Sequence, residues 1–272
     1  MVKMDRNFLE LAINNDVASE EYPRSHIGLS TNGTECLRSL QFSWRWAYKR
    51  KIINRMNRLF RVGHYGEDDI INELESLGCI ITDRQLIIPS LAGHWGGSID
   101  GIIQLPNEIR KSLLEIKTHN QKNFNALVKH GIKKAFPKHY DQMQAYMSHE
   151  GIPKQAVYIA INKNNSAVAV LYVELDQERA NELKRYRMEV ISSDTLLPRI
   201  KGASEEYYKC KFCEASEVCW RDEPIQRNCR TCNHVDILDA GKWQCSIDER
   251  FLSIEDQIKG CKKYTLDEKY FS

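Results

Sequence analysis

Three stretches between Cys79 and Thr118, namely CIITDRQLIIP, GHWGGSIDGIIQL and SLLEIKT, are apolar and β-branched runs separated by turn-forming residues. They predict three antiparallel strands, and this meander constrains the fold more than any other feature. A long helical pattern precedes it from about Met56 to Leu77, with Leu59, Val62, Ile70, Ile71 and Leu74 as its apolar positions and Gly78 as its stop. Helical spacing of Leu37, Leu40 and Trp44 predicts an earlier helix over Thr31–Lys51. After the meander, helices are expected at Asn123–Lys129 and Lys138–His149. The strands AVYIAINK and AVAVLYVEL come next, joined through Asn164–Asn165–Ser166, and then a charged helix over Gln177–Ser192. The order α, βββ, α, ββ, α describes an α/β (α+β) chain with no internal repeat.

In SLLEIKT, side-chain alternation projects Glu115 and Lys117 from one face and Leu114 and Ile116 from the other. Asp100 follows Gly96 and Gly97, and a hairpin through Leu105–Ser112 can bring it across from Glu115, so that two carboxylates share a cation. Hydrolysis of a phosphodiester needs a divalent ion to polarise the phosphate and activate water, and a cation to stabilise the transition state. Asp100, Glu115 and Lys117 supply those parts. Hard oxygen ligands suit magnesium or manganese, with the Ile116 carbonyl as a further ligand. A surface ion pair on a hairpin would account for the tripeptide alone. The motif GHYGE adds His64 and Glu67, one helical turn apart on one face.

Overall charge says little, since 39 basic residues nearly balance 37 acidic ones for a formal +2. Locally, Arg38, Arg45, Lys49, Arg50, Lys51, Arg55, Arg58 and Arg61 gather among Phe42, Trp44, Trp46 and Tyr48, a mixture suited to tracking phosphates and stacking bases, or to a solvated helix face. Lys129, Lys133, Lys134 and Lys138 form a weaker strip. No apolar run approaches the ~20 residues that cross a bilayer, and Asp5, Glu10 and Asp16 interrupt any secretory pattern, so a cytoplasmic protein is expected.

Nine cysteines are unusual for such a chain, and seven lie from Cys210 onward. In a reducing compartment, clustered thiols favour metal over disulfides. Cys229-x-x-Cys232, with Cys245 and Cys261 and with His234 nearby, has the composition of a tetrahedral zinc site; reduced, unligated thiols, or one of them serving another metal group, are the alternatives. Cys79, at the start of a strand, reads as a core residue.

Taken together, His64 with Glu67, Asp100, Glu115–Ile116–Lys117 and Gln142-x-x-x-Tyr146 resemble the PD-(D/E)XK nuclease superfamily in its RecB-like branch. The resemblance implies a restriction-endonuclease-like core, a central mixed sheet flanked by helices. It also implies that His64, Asp100, Glu115 and the Ile116 carbonyl ligate the metal, that Lys117 assists catalysis with Glu67 close by, and that Gln142 and Tyr146 hold DNA or the lysine. Ile99 stands where the superfamily's name has proline.

Cys36 with Cys210-x-x-Cys213-x5-Cys219 narrows the likeness to the CRISPR-associated iron–sulfur exonucleases and their viral relatives. By that likeness four thiolates hold a [4Fe–4S] cluster; a structural zinc, or a simply buried Cys36, is the alternative. The likeness runs from about Ser30 to Trp220, giving an N-terminal segment at 1–29 and a nuclease domain at 30–223, and the composition change near Pro224 sets off a cysteine-rich zinc module at 224–272 that this group does not require. The expected activity is a magnesium- or manganese-dependent exonuclease on single-stranded DNA ends, 5′ to 3′, in recombination, repair or CRISPR-adjacent processing. A recombination or CRISPR-adaptation protein is the expected partner, and the host cytoplasm the location if the chain is viral. A structure-specific endonuclease and a non-catalytic DNA-binding or assembly module are the competing readings.

Overall fold

The computed structural model describes residues 6–15, 17–31, 36–89 and 93–271. Asp5, Asp16 and positions 32–35 of the first expected helix therefore lie outside the described residues. The N-terminal part contains α1 (Arg6–Asn15), β1 (Val17–Glu21), β2 (Ile27–Gly28), α2 (Leu37–Trp44), β3 (Arg50–Ile53) and α3 (Asn54–Ser76). The meander forms β4 (Ile80–Thr82), β5 (Ile87–Pro89), β6 (Trp95–Ser98), β7 (Gly101–Gln104) and β8 (Lys111–His119). Then come α4 (Gln121–His130), α5 (Ile132–Ala135), α6 (Pro137–Met147), β9 (Gln155–Asn162), β10 (Val168–Glu174) and α7 (Gln177–Ser192).

The main sheet has the order β10-β9-β8-β7-β4. Within it only the β8–β9 pair is parallel, so the sheet is mixed. Its two faces bury different sets. Leu114 and Ile116 pack with Ile70 and Ile71 of α3, while Leu113 and Tyr158 pack with Tyr140, Met143 and Tyr146 of α6. A mixed sheet flanked by helices is thus observed as expected.

Two expectations change. The meander has five strands in place of three, because Asp83 and Gln85 take positive φ between β4 and β5, and the chain leaves a small β2-β6-β5 sheet for the main one at Ser98–Gly101. The helix expected to reach Lys51 stops at Trp44, and Trp46, at φ 53°, turns the chain into β3, which pairs with β1. The reason is burial: Phe42, Trp44, Trp46 and Tyr48 are core residues, so a straight amphipathic helix could not place all four inside. In α3, Leu59 and Val62 are about half exposed, because only the C-terminal half of the helix packs on the sheet.

Beyond α7 the chain adds α8 (Tyr208–Lys211), α9 (Ser216–Trp220), the hairpin β11–β12 (Val235–Ile237 and Trp243–Cys245), α10 (Ile254–Lys259) and α11 (Glu268–Phe271). Trp243 and Leu252 share the core with Trp44 and Trp95. Arg230 is sandwiched at 3.7 Å from the Trp46 ring centroid and 4.6 Å from that of Trp243, and it donates to the Trp44 carbonyl at 2.8 Å and to Gln257 Oε1 at 2.7 Å. The cysteine-rich end is therefore packed against the N-terminal aromatic cluster. Among the described residues no helix is long and apolar enough to cross a membrane.

Candidate active site

The β7–β8 hairpin pairs Gly101 with Leu114, which leaves Asp100 beside Glu115 at the end of the ladder. Asp100 Oδ2 accepts the Ile116 amide at 2.8 Å and stands 3.5 Å from Lys117 Nζ. Lys117 also donates to the Ile116 carbonyl at 3.0 Å and pairs with Glu115 Oε1. The ammonium thus touches all three oxygen-bearing groups expected to ligate a cation. Glu115 is wholly buried, and its Oε2 has no hydrogen-bond partner among the described residues. A buried carboxylate oxygen with nothing to bind is costly unless a cation completes it, so this donor set fits a hard divalent ion.

Electrostatics agree with the geometry. Burial raises the Glu115 pKa; Lys117 opposes the rise, while Asp100 and Glu67 add to it. Burial works against the Lys117 ammonium, yet Glu115 and Asp100 outweigh it and hold the lysine charged. Glu67 is raised by burial and by Asp100, and it is drawn down by Lys117, by Gln85 and by His64. Glu67 thus feels the charges of the same centre, and Gln85 Nε2 donates to its Oε1 at 2.8 Å. Gln85, at a positive-φ turn before β5, carried no sequence signal of a role.

The glycines of the two motifs are explained by close approach. A Cβ on Gly66 would stand 2.8 Å from Thr118 Cγ2, so glycine lets α3 lie close against β8. A Cβ on Gly97 would stand 2.5 Å from Tyr146 Oη, and that hydroxyl donates to the Ser98 carbonyl at 2.8 Å. Tyr146 is 2% exposed and braces the bend that carries Asp100, so it does not face a DNA strand. Gln142 is buried beside it on α6. His64 is exposed on α3.

The expected DNA path over Arg38–Arg61 survives only in part. Its aromatic residues are buried, Arg45 pairs with Asp267 at 3.1 Å beneath Tyr270, and Arg50 pairs with Glu214. Arg38 donates to the Leu197 carbonyl, and Arg58 bonds the Ile13 carbonyl and Asn14. Lys49, Lys51, Arg55 and Arg61 remain exposed, as do Phe60 and Tyr65.

Residues 67–152, which include Asp100, Glu115, Lys117, Gln142 and Tyr146, match the model of the YqaJ-like viral recombinase domain. Over these residues, about a third of the chain, the protein is similar to that domain, which falls in the PD-(D/E)XK nuclease superfamily. Solved structures similar to the chain include an alkaline exonuclease, LHK-Exo, from Laribacter hongkongensis (20% identity, TM-score 0.46, covering 61% of this chain and 88% of that one). The same exonuclease in complex with dAMP matches at 18% identity and TM-score 0.41, over 62% and 87% of the two chains. SSO0001 matches at 14% identity and TM-score 0.43, over 72% and 86%. No curated protein is significantly similar. These matches point to the viral recombinase domain and do not establish the CRISPR-associated iron–sulfur branch.

None of the nine cysteines is in a disulfide, and eight of them lie outside the YqaJ-like segment, Cys79 being the buried core residue expected. Cys36, Cys210, Cys213 and Cys219 line one cavity of about 570 Å³, together with Lys138 and Arg199. Burial raises the Cys213 thiol, the Ala215 amide opposes, and Cys36, Cys219 and Cys210 raise it further. Arg199 Nε lies 3.3 Å from Cys219 Sγ. In the second set, burial and then Cys232, Cys261 and Cys245 push Cys229 up to about 11. Each set is thus gathered closely enough for its members to feel one another. Among the described residues, however, no three His, Cys, Asp or Glu side chains converge as a ready-made cage for a single ion.

Proposed function

We propose that the chain is a divalent-metal-dependent deoxyribonuclease of the exonuclease type, acting on DNA ends in recombination. The observation that carries this reading is the wholly buried Glu115 carboxylate, one oxygen unpartnered, facing Asp100, the Ile116 carbonyl and Lys117. The family match of residues 67–152 supports it. Asp100, Glu115 and the Ile116 carbonyl would hold magnesium or manganese, with His64 from α3 as a further ligand. The cation would supply Lewis-acid polarisation of the phosphate and an acidified water. Lys117 carries positive charge to where the transition state gathers negative charge. Glu67 completes the acidic rim, while Gln142 and Tyr146 hold the lysine and the Asp100 bend. Exposed Phe60, Arg61 and Tyr65 precede and flank His64 on α3, in position to receive a single strand.

The reading extends to a [4Fe–4S] cluster on Cys36, Cys210, Cys213 and Cys219, supported by the four thiols lining one cavity. It also extends to zinc on Cys229, Cys232, Cys245 and Cys261. The domain limits of 30–223 and 224–272, the 5′-to-3′ direction and a cytoplasmic location rest on resemblance and composition. The test is digestion of end-labelled single-stranded DNA under magnesium and manganese. Lys117→Ala is expected to lose cleavage by about a hundredfold or more while keeping its fold and DNA affinity. Full activity in that variant would overturn the assignment, and cutting of closed circular DNA would move it to the endonuclease class. Tight DNA binding without cleavage by the intact protein would favour a binding module. Iron with acid-labile sulfide after anaerobic purification would support the cluster, and zinc alone would reject it.

A further inference from the structure

Beside the carboxylate–lysine centre lies a polar network that its chemistry does not use. Tyr158 Oη stands 2.8 Å from His119 Nε2 and 2.8 Å from His139 Nδ1. Tyr158 is 0% exposed and His119 5% exposed, so this is a built arrangement within the interior. Phe136 closes it from one side, with its ring centroid 4.4 Å from that of His119 and 5.2 Å from that of His139, the latter pair stacked.

Strand register fixes where the network runs. In the parallel β8–β9 pair, Glu115 is partnered by Tyr158, Lys117 by Ala160 and His119 by Asn162. Glu115, Lys117 and His119 alternate onto one face. Four residues of strand separate the positions of Glu115 and His119 by ~13 Å, so the tyrosine and histidine side chains meet only by leaning toward each other past the Lys117–Ala160 level. Ala160, with only a methyl group, leaves them room. Lys117 thus projects from the same face between the levels of Glu115 and His119, next to the strand that carries Tyr158.

We propose that His119, Tyr158 and His139 form a hydrogen-bonded buttress that confines the Lys117 ammonium to Asp100 and Glu115, making the three positioning residues for cleavage. The proposal rests on the role given to Lys117 above. A phenol has one proton, so Tyr158 donates to one imidazole and accepts an N–H from the other. The pair therefore requires a neutral ring on the accepting side, and burial and the nearby Lys117 charge disfavour protonation of both rings. An uncharged wall joined through the Tyr158 hydroxyl keeps the ammonium from the His119 side without offering it a competing anion.

Two readouts test this. The first is the rate of reductive methylation of Lys117 followed by mass spectrometry, which does not depend on activity. The second is the split between kcat and KM on end-labelled single-stranded DNA. Tyr158→Phe is expected to make Lys117 several-fold more reactive and to lower kcat about ten- to a hundredfold with KM unchanged. His139→Asn, which keeps a nitrogen near the Nδ1 position, should recover most of the kcat that His139→Ala loses. Unchanged Lys117 reactivity in folded Tyr158→Phe would overturn the buttress, as would a lowered Tm with wild-type kcat. If the wild-type protein cuts no DNA, the nuclease reading fails, and Lys117 reactivity alone still decides whether the buttress exists.

Discussion

At the scale of residues, the centre is a set of charges that cannot all be satisfied by protein. Glu115 lies on the central strand of the sheet with one oxygen unpartnered among the described residues, and Lys117 is the cation paired with it. Added magnesium should raise the Tm of the wild type, because a ligand that binds only the folded state stabilises it by mass action. Glu115→Gln should lose most of that rise, and an equal rise in both proteins would place the ion elsewhere. The histidines make a second prediction. His139 is pushed down to about 3 by burial, then by Lys117, His119 and Lys138, and His119 is lowered by burial and Lys117. A folded state that keeps these rings neutral binds fewer protons than the unfolded chain, whose histidines titrate near 6.5. Their contribution is thus present above about pH 6.5 and is lost as pH falls toward 3. Thermal melts should show Tm declining from pH 6.5 to 4, with a shallower decline in His139→Asn; parallel slopes would count against it.

At the scale of elements, the decisive contact is α3 against β8. Leu114, Ile116 and Thr118 present one face of β8, and Ile70 and Ile71 of α3 pack there. Gly66 permits the approach, because a Cβ would meet Thr118 Cγ2 at 2.8 Å. Gly66→Ala is expected to cost about 1–3 kcal/mol and to lower activity by displacing His64 and Glu67. Adding Thr118→Ser removes the offending methyl and should restore much of both, which a melt and a digestion of the single and double variants would check. Much of this was legible in the strands. Alternation in SLLEIKT placed Glu115 and Lys117 on one face, and the β7–β8 hairpin does set Asp100 beside Glu115. The α2 region was not legible. Its basic and aromatic residues have the composition of a nucleic-acid surface, yet Arg45 and Trp46 are buried, with partners at Asp267 and Arg230 in the last fifth of the chain. Helical periodicity reports which residues are apolar, and says nothing of which distant segment will cover them.

Across the whole molecule, the two ends of the chain close one structure. Arg230, buried by Trp46 and Trp243 and bonded to Trp44 and Gln257, joins the cysteine-rich end to the N-terminal aromatic cluster. Arg230→Ala should destabilise the protein by about 2–4 kcal/mol, since it strips both ring contacts and leaves the Trp44 carbonyl without its donor. A chain ending at residue 223 would lack Trp243 and Leu252 and expose the core they cover. It should give no cooperative melt; a sharp transition in that fragment would show the nuclease part to be independent. The composition change near Pro224 was plain from the residues, but a change in composition does not locate a gap in packing.

By itself, the sequence determined the long helix α3, the strands β8, β9 and β10 with the helix α7 after them, the face shared by Glu115 and Lys117, and the two cysteine sets. Each is a local matter of period, turn chemistry or ligand spacing. Only the tertiary structure decided that Glu115 would be wholly buried with a free oxygen, that Tyr146 would brace Asp100, and that His119, Tyr158 and His139 would meet beside Lys117. Those outcomes depend on which strands lie parallel and which helix covers which face. Burial energies settle them across segments far apart in the chain, where no local pattern carries the information.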